Sequence, residues 1–132
     1  MIGLDTNVLL RYLVRDDPAQ ALAATRVIEV ECTPELPGFI NQIALCEFVW
    51  TLGSVYRYPR LQIATLLAHL LRTDRIRMEE QQEVASAVAD YISGHDFADA
   101  LIARRNMRLG CSRTVTFDRR ATRLPSMELA LS

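Results

Sequence analysis

A chain of 132 residues that is 50% apolar can bury ~65–70% of the surface its unfolded form exposes, enough for one domain over 1–132 and too little for a second. Its net charge of −1 excludes a global electropositive field, so any hold on nucleic acid must rest on local patches. All 15 basic residues are Arg and none is Lys, which excludes mechanisms that need a catalytic Lys.

The elements follow in chain order. Ile2 to Leu4 is long enough only for a short buried strand or a frayed end, and from Thr6 the residues Val8, Leu9, Tyr12 and Leu13 fall at helical spacing to Val14. Asp16-Asp17-Pro18 starts a second helix, with an acidic cap and Pro in the first turn, that runs to about Glu31. Pro34 and Pro37 bracket a break. Leu36 to Ile40 reads as a second strand and Gln42 to Tyr56 as a strongly apolar helix. Pro59 opens a helix through Leu61, Leu66, Leu67, Leu70 and Leu71; Arg75 to Met78 is a third strand; Gln81 to Ile92 is a helix with Val84, Val88 and Tyr91 on one stripe. Gly94 separates it from a helix that starts at Asp96 and stops at Gly110. Ser112 to Phe117 is the clearest strand, and Met127 to Leu131 the last.

Strands alternating with helices predict an α/β fold with a parallel sheet covered on both faces. Ligands of such sheets sit beyond the carboxyl ends of the strands. Asp5 and Asp118 each fall at such an end, which leads to the expectation that both lie on one edge of the sheet. No uninterrupted apolar stretch approaches ~18 residues, and Asp5 comes before any apolar run that a basic leader would precede. The expectation is a soluble protein of the cytoplasm, without a membrane segment. Cys32, Cys46 and Cys111 show no CxxC spacing and read as buried thiols in a reducing compartment.

The acids carry the chemistry. Glu47 has Ile43, Ala44, Trp50 and Thr51 as helical neighbours, so it falls on or beside the stripe that ought to face the core. Burying a lone carboxylate costs several kcal/mol unless it is paired or coordinates a metal. Glu47 is therefore either a surface residue at the stripe's edge or a metal ligand. Asp96 and Asp99 share one face at a helix start, where Asp96 is accounted for as a cap or a supporting group and Asp99, between Ala98 and Ala100, is better read as a ligand. Were Asp5, Glu47, Asp99 and Asp118 to converge, each pair ~4 Å apart would repel by ~4 kcal/mol at an effective dielectric of 20. Cations or raised pKa values make such a cluster tolerable. An all-oxygen site favours Mg²⁺ or Mn²⁺, and such an ion can activate water against a phosphodiester. Thr6, Asn7, Thr116 and Ser112 are short polar groups beside the acids, suited to orienting a ligand, with capping and strand-end hydrogen bonding an equal reading for Asn7 and Ser112. His69 and His95 have no ligand spacing and read as structural or surface residues.

Asp5-Thr6-Asn7-Val8-Leu9-Leu10, Glu47 in Cys46-Glu47-Phe48-Val49, Phe97-Ala98-Asp99-Ala100-Leu101-Ile102-Ala103 and Thr116-Phe117-Asp118 together resemble the PIN domain, specifically the VapC-type toxins of toxin–antitoxin pairs. Each motif alone is weak; the ordered set spans nearly the whole chain. The resemblance implies a three-layer α/β/α fold with a short central parallel sheet, and a Mg²⁺- or Mn²⁺-dependent endoribonuclease. It implies Asp5, Glu47, Asp99 and Asp118 as catalytic metal ligands, with Thr6 and Thr116 as supporting hydroxyls. Asp96 is an extra acid that the family pattern does not assign. It further implies a homodimer held inactive by a VapB-type antitoxin whose C-terminal segment enters the acidic cleft, and a structured RNA as substrate.

Seven Arg lie between Arg104 and Arg123. They suit either a bidentate grip on RNA phosphates, with Arg119 and Arg120 nearest Asp118, or an ordinary solvated face. Arg11 and Arg15, one turn apart, form a second candidate RNA patch. Trp50 or Tyr56, on helices with more apolar surface than one small core needs, suit a dimer or antitoxin interface. Two rival readings, a receiver-type phosphoacceptor and a haloacid-dehalogenase-like phosphatase, normally need a Lys that this chain lacks. A catalytically silent binding module, acting as co-repressor with its antitoxin, is the alternative; the presence of all four acids weighs against it.

Overall fold

In the computed structural model, which describes residues 1–130, Met1–Gln81 forms one compact unit and the chain from Gln82 onward a second. The first unit is built on three short parallel strands in the order β1 (Ile2–Gly3), β2 (Gly38–Ile40), β3 (Ile76–Met78). Ile2 stands opposite Gly38, and Gly38 opposite Ile76. Parallel neighbours need long crossovers, and helices supply them. α1 (Thr6–Leu13) and α2 (Pro18–Arg26) connect β1 to β2, while α3 (Gln42–Ser54) and α4 (Arg60–Arg72) connect β2 to β3.

Each of the first three helices starts on a side-chain cap that satisfies a backbone N–H with no partner inside the helix. The Thr6 N–H donates to Asp5 Oδ1 at 2.9 Å, the Gln20 N–H to Asp17 Oδ1 at 3.1 Å and the Ala44 N–H to Asn41 Oδ1 at 2.8 Å. Leu9, Ile28, Ile40, Leu45, Phe48, Leu52, Ile63, Leu67 and Leu70 are the most deeply buried apolar side chains of this unit. At Gly38 any side chain would collide, because a Cβ there would lie 2.6 Å from Leu4 Cδ1 and 3.1 Å from Cys32 Sγ.

The second helix does not run regularly to Glu31. It passes at Val27 into a π turn over Val27–Glu31, closed by the Cys32 N–H donating to the Val27 carbonyl at 2.8 Å. Arg75 Nη1 donates to the carbonyls of Glu29 and Cys32 at 3.0 and 2.8 Å. That long-range side chain serves carbonyls at the wider turn, which local periodicity does not reveal.

The second unit holds α5 (Gln81–Ile92), α6 (Phe97–Arg108) and the parallel pair β4 (Thr114–Thr116) and β5 (Met127–Leu129), with Thr114 opposite Met127. Val84, Ala87, Val88 and Tyr91 of α5 and Phe97, Ala100, Leu101 and Ala103 of α6 are buried. The rings of Tyr91 and Phe97 meet edge to face at 6.1 Å. α6 ends where Gly110 takes φ +101°. The Gly110 N–H donates to the Met107 carbonyl and the Cys111 N–H to the Asn106 carbonyl, the paired bonds of a glycine-terminated helix. β5 stops at Leu129, and Leu131, the predicted last residue of that strand, lies outside the described residues.

Among the described residues all ladders are parallel, as the alternation of strands and helices predicts, and they fall into two hydrogen-bonded sets, one in each unit. Among the described residues no helix is long and apolar enough to cross a membrane. The reading of three buried thiols needs correction. Cys32 is buried, Cys46 is half-buried and Cys111 is exposed, because Cys111 follows the glycine that ends α6 and its segment leaves the packed helix.

Candidate functional site

In the first unit the site residues gather around one hydroxyl. Thr6 is buried at the start of α1, and its Oγ1 lies 3.3 Å from the Ala44 carbonyl and 3.4 Å from Glu47 Oε1, donating toward both. Asp5 is the cap immediately before it. Thr6 thereby ties the start of α1 to α3 and sets Asp5 and Glu47 about the same point. Glu47 is exposed beside the buried stripe of α3, one of the two places its spacing allows. Ile43 and Trp50 on the same side of α3 are themselves 73% and 65% exposed, and the core stripe runs instead through Ala44, Leu45, Phe48, Val49 and Leu52. Asn7 is exposed beside Asp5 and lines a cavity of about 420 Å³ together with Val8, Arg11, Gln20, Ala23, Ala24 and Val27.

In the second unit Asp96 is the cap of α6, its Oδ2 accepting from the Asp99 N–H at 3.0 Å. Asp99 is in the first turn and half-buried. Burial pushes its carboxyl above the usual carboxylate range, and the charges of Asp96 and Asp118 push it further. Those influences bring Asp96, Asp99 and Asp118 into one electrostatic group. Asp118 is exposed just past β4, held by two turn bonds: its N–H donates to Thr116 Oγ1 at 3.0 Å, and its Oδ1 accepts from the Arg120 N–H at 2.9 Å. Thr116 thus supports Asp118 through the backbone.

The candidate RNA-binding arginines differ in what they already hold. Arg11 donates to Gln20 Oε1 at 2.6 Å, Asp16 Oδ1 at 2.8 Å and the Tyr56 hydroxyl at 3.1 Å, and that hydroxyl donates to Asp16 Oδ2 at 2.9 Å. The Tyr56 hydroxyl and the Arg11 guanidinium hold the Asp16 carboxyl below the usual range. Arg15, at φ 60° beyond the end of α1, donates to Thr25 Oγ1 at 3.2 Å. In the later cluster Arg104 makes a bidentate pair with Asp90 at 2.6 and 2.9 Å, Arg108 pairs with Glu83 at 2.7 Å and Arg113 with Glu128 at 2.9 Å. The sequence reading takes Asp16 only as part of a helix start and does not single out Gln20, Asp90 or Glu83. Only the five-residue spacing of Arg11 and Asp16 hinted at one of these bonds.

In each unit taken by itself the candidate donors are carboxylate and hydroxyl oxygens, the kind that a hard divalent cation prefers. Asp99 fits that chemistry best, as a desolvated anion facing two like charges. Among the described residues no three His, Cys, Asp or Glu side chains stand together as a ready metal cage.

Asp5 and Asp118 stand just past β1 and β4 and Asp99 in the first turn of α6, and open α/β sheets bind their ligands beyond the carboxyl ends of the strands. The PIN domain family model matches residues 2–126, and the chain belongs to that family. Six helices and short parallel strands are consistent with its three-layer α/β/α architecture. PIN domains are generally metal-dependent nucleases and typically use divalent ions such as Mg²⁺. Neither the curated proteins nor the solved structures compared with the chain give a match.

Proposed function

We propose that this PIN domain is a Mg²⁺- or Mn²⁺-dependent endoribonuclease, the toxin of a VapBC-type pair, with Asp5, Glu47, Asp99 and Asp118 as its cation-holding acids. The observation that carries the reading is Asp99: a half-buried carboxylate raised by desolvation and by Asp96 and Asp118. Such an arrangement costs stability in the ionised state and is relieved by a cation. A bound divalent ion supplies charge against the phosphodiester and acidifies the attacking water. The chain's own residues do the rest. Thr6 orients Glu47, Asp96 holds the first turn of α6 around Asp99, and Thr116 fixes the turn that presents Asp118.

The same reading makes the protein a cytoplasmic homodimer restrained by a VapB-type antitoxin. Exposed Trp50 and the cavity beside Asn7 offer surface for such contacts. Cleavage of a pool of structured cellular RNAs, with Mg²⁺ or Mn²⁺ and with EDTA, tests it against an Asp99→Asn preparation purified identically. Discrete metal-dependent fragments that vanish in the variant are expected. Identical behaviour of the two folded, antitoxin-free preparations would reject the nuclease in favour of a silent co-repressor module.

A further inference from the structure

The seven arginines from Arg104 to Arg123 are not one patch. Arg104, Arg108 and Arg113 are committed to Asp90, Glu83 and Glu128, and Arg105 is engaged as well. Arg119, Arg120 and Arg123 are exposed, and their guanidinium groups make no hydrogen bond or ion pair among the described residues.

These three sit within one short segment, 119–123. A 3₁₀ turn over Ala121–Arg123 follows Asp118, and Ala121 and Leu124 anchor it at 4% and 3% exposure. With three residues per turn, the buried pair at 121 and 124 leaves Arg120 and Arg123 stacked on a common outward face. Arg119 adjoins them, and the Arg120 N–H is bonded to the Asp118 carboxylate. The placement also has an electrostatic reason. Asp96, Asp99 and Asp118 repel a phosphodiester, and three arginines on the turn next to Asp118 offset that repulsion without neutralising the acids.

We infer that Arg119, Arg120 and Arg123 form a phosphate grip that seats the RNA backbone beside Asp118, distinct from the paired arginines of α6 and Arg113 just before β4. The inference rests on the nuclease reading for its choice of RNA. A guanidinium can hold a phosphate bidentately, and such contacts position the backbone without reading sequence.

The test is anisotropy of a short fluorescein-labelled single-stranded RNA of mixed sequence, bound in EDTA so that nothing is cut, at about 50 to 200 mM salt. The triple variant Arg119→Ala, Arg120→Ala, Arg123→Ala is expected to bind about 10- to 100-fold more weakly, with a log–log salt slope shallower by about two. The matched triple Arg26→Ala, Arg72→Ala, Arg77→Ala removes the same charge from exposed arginines elsewhere, and it is expected to leave the slope near wild type. Replacing all three turn arginines by Lys keeps the charge and is expected to restore most of the slope. If the triple Ala protein fails to fold, Arg119→Ala and Arg120→Ala singly are each expected to reduce the slope by about 0.7. Equal losses in the two triples, or no loss in either, would overturn the grip. Because cleavage is scored separately with Asp99→Asn, a failed nuclease and a failed grip give different results.

Discussion

Asp99 shows how one residue's surroundings set its chemistry. Its carboxyl is raised, so the native state holds a proton more tightly than the unfolded chain, whose carboxyl titrates near about 3.9. Between those two pKa values the native protein carries more bound protons, and its stability falls as pH increases. The favourable contribution is complete below the unfolded value and is lost as pH passes upward through the raised native one. Asp99→Asn is therefore expected to melt above the wild type at neutral pH without divalent ions, with the difference closing below about pH 3.9. Mg²⁺ should raise the wild-type Tm and leave the variant unmoved, while cleavage drops at least about 100-fold. Thermal melts across pH, with and without Mg²⁺, check this; a variant less stable than wild type at neutral pH would make Asp99 a structural acid.

At the scale of elements, β2 is the most tightly constrained piece. Leu4 and Cys32, both buried, crowd the position a side chain on Gly38 would take. Gly38→Ala is expected to cost about 1–3 kcal/mol, seen as a lower urea midpoint with unchanged slope. Tyr56 has a different role, joining the segment after α3 to Arg11 and Asp16. The depressed carboxyl of Asp16 contributes stability that is present above the unfolded carboxyl pKa and lost as pH falls through the native one. Tyr56→Phe should lower stability at neutral pH, where the Asp16 contribution is present, and make the acid side of the profile shallower so that variant and wild type converge at low pH, which acid titration of the melting temperature checks.

Most element boundaries were legible because their signals are local. Asp17-Pro18, Asn41, Asp96 and Gly110 each start or stop a helix by chemistry within a few residues. What escaped depends on distant partners. The π turn at Val27–Glu31 is served by Arg75, and the 3₁₀ turn at Ala121–Arg123 is too short to have a period. Spacing leaves Glu47 on or beside the core stripe, and the structure puts it beside, because apolar Ile43 and Trp50 on its side of α3 are themselves exposed. The places of Asp5, Asp99 and Asp118 after strands and in a first helical turn are visible in the sequence, whereas the hydroxyl bond from Thr6 to mid-helix Glu47 spans 41 positions and leaves no trace in local spacing.

For the molecule as a whole, the proposed reaction assigns a single chemistry to acids that lie far apart in sequence, Asp5 and Glu47 early, Asp99 and Asp118 late. Residues that act as a unit are strongly non-additive in catalysis: once one is lost, losing the next changes little. Independent contributions would instead multiply. Asp5→Asn retains an oxygen able to cap α1, as Asn does at helix starts, so its effect on cleavage can be separated from folding. If Asp5 and Asp99 serve the same cation, the double variant Asp5→Asn, Asp99→Asn should cleave no more slowly than the slower single variant, within about threefold. Two separate roles would place the double variant near the product of the two losses, about 10⁴-fold down if each single costs about 100-fold. Single-turnover cleavage at saturating protein, with Mg²⁺ and then Mn²⁺, measures the comparison at the chemical step. A multiplicative result would break the four-acid site into separate functions, even if each single variant were inactive in an ordinary assay.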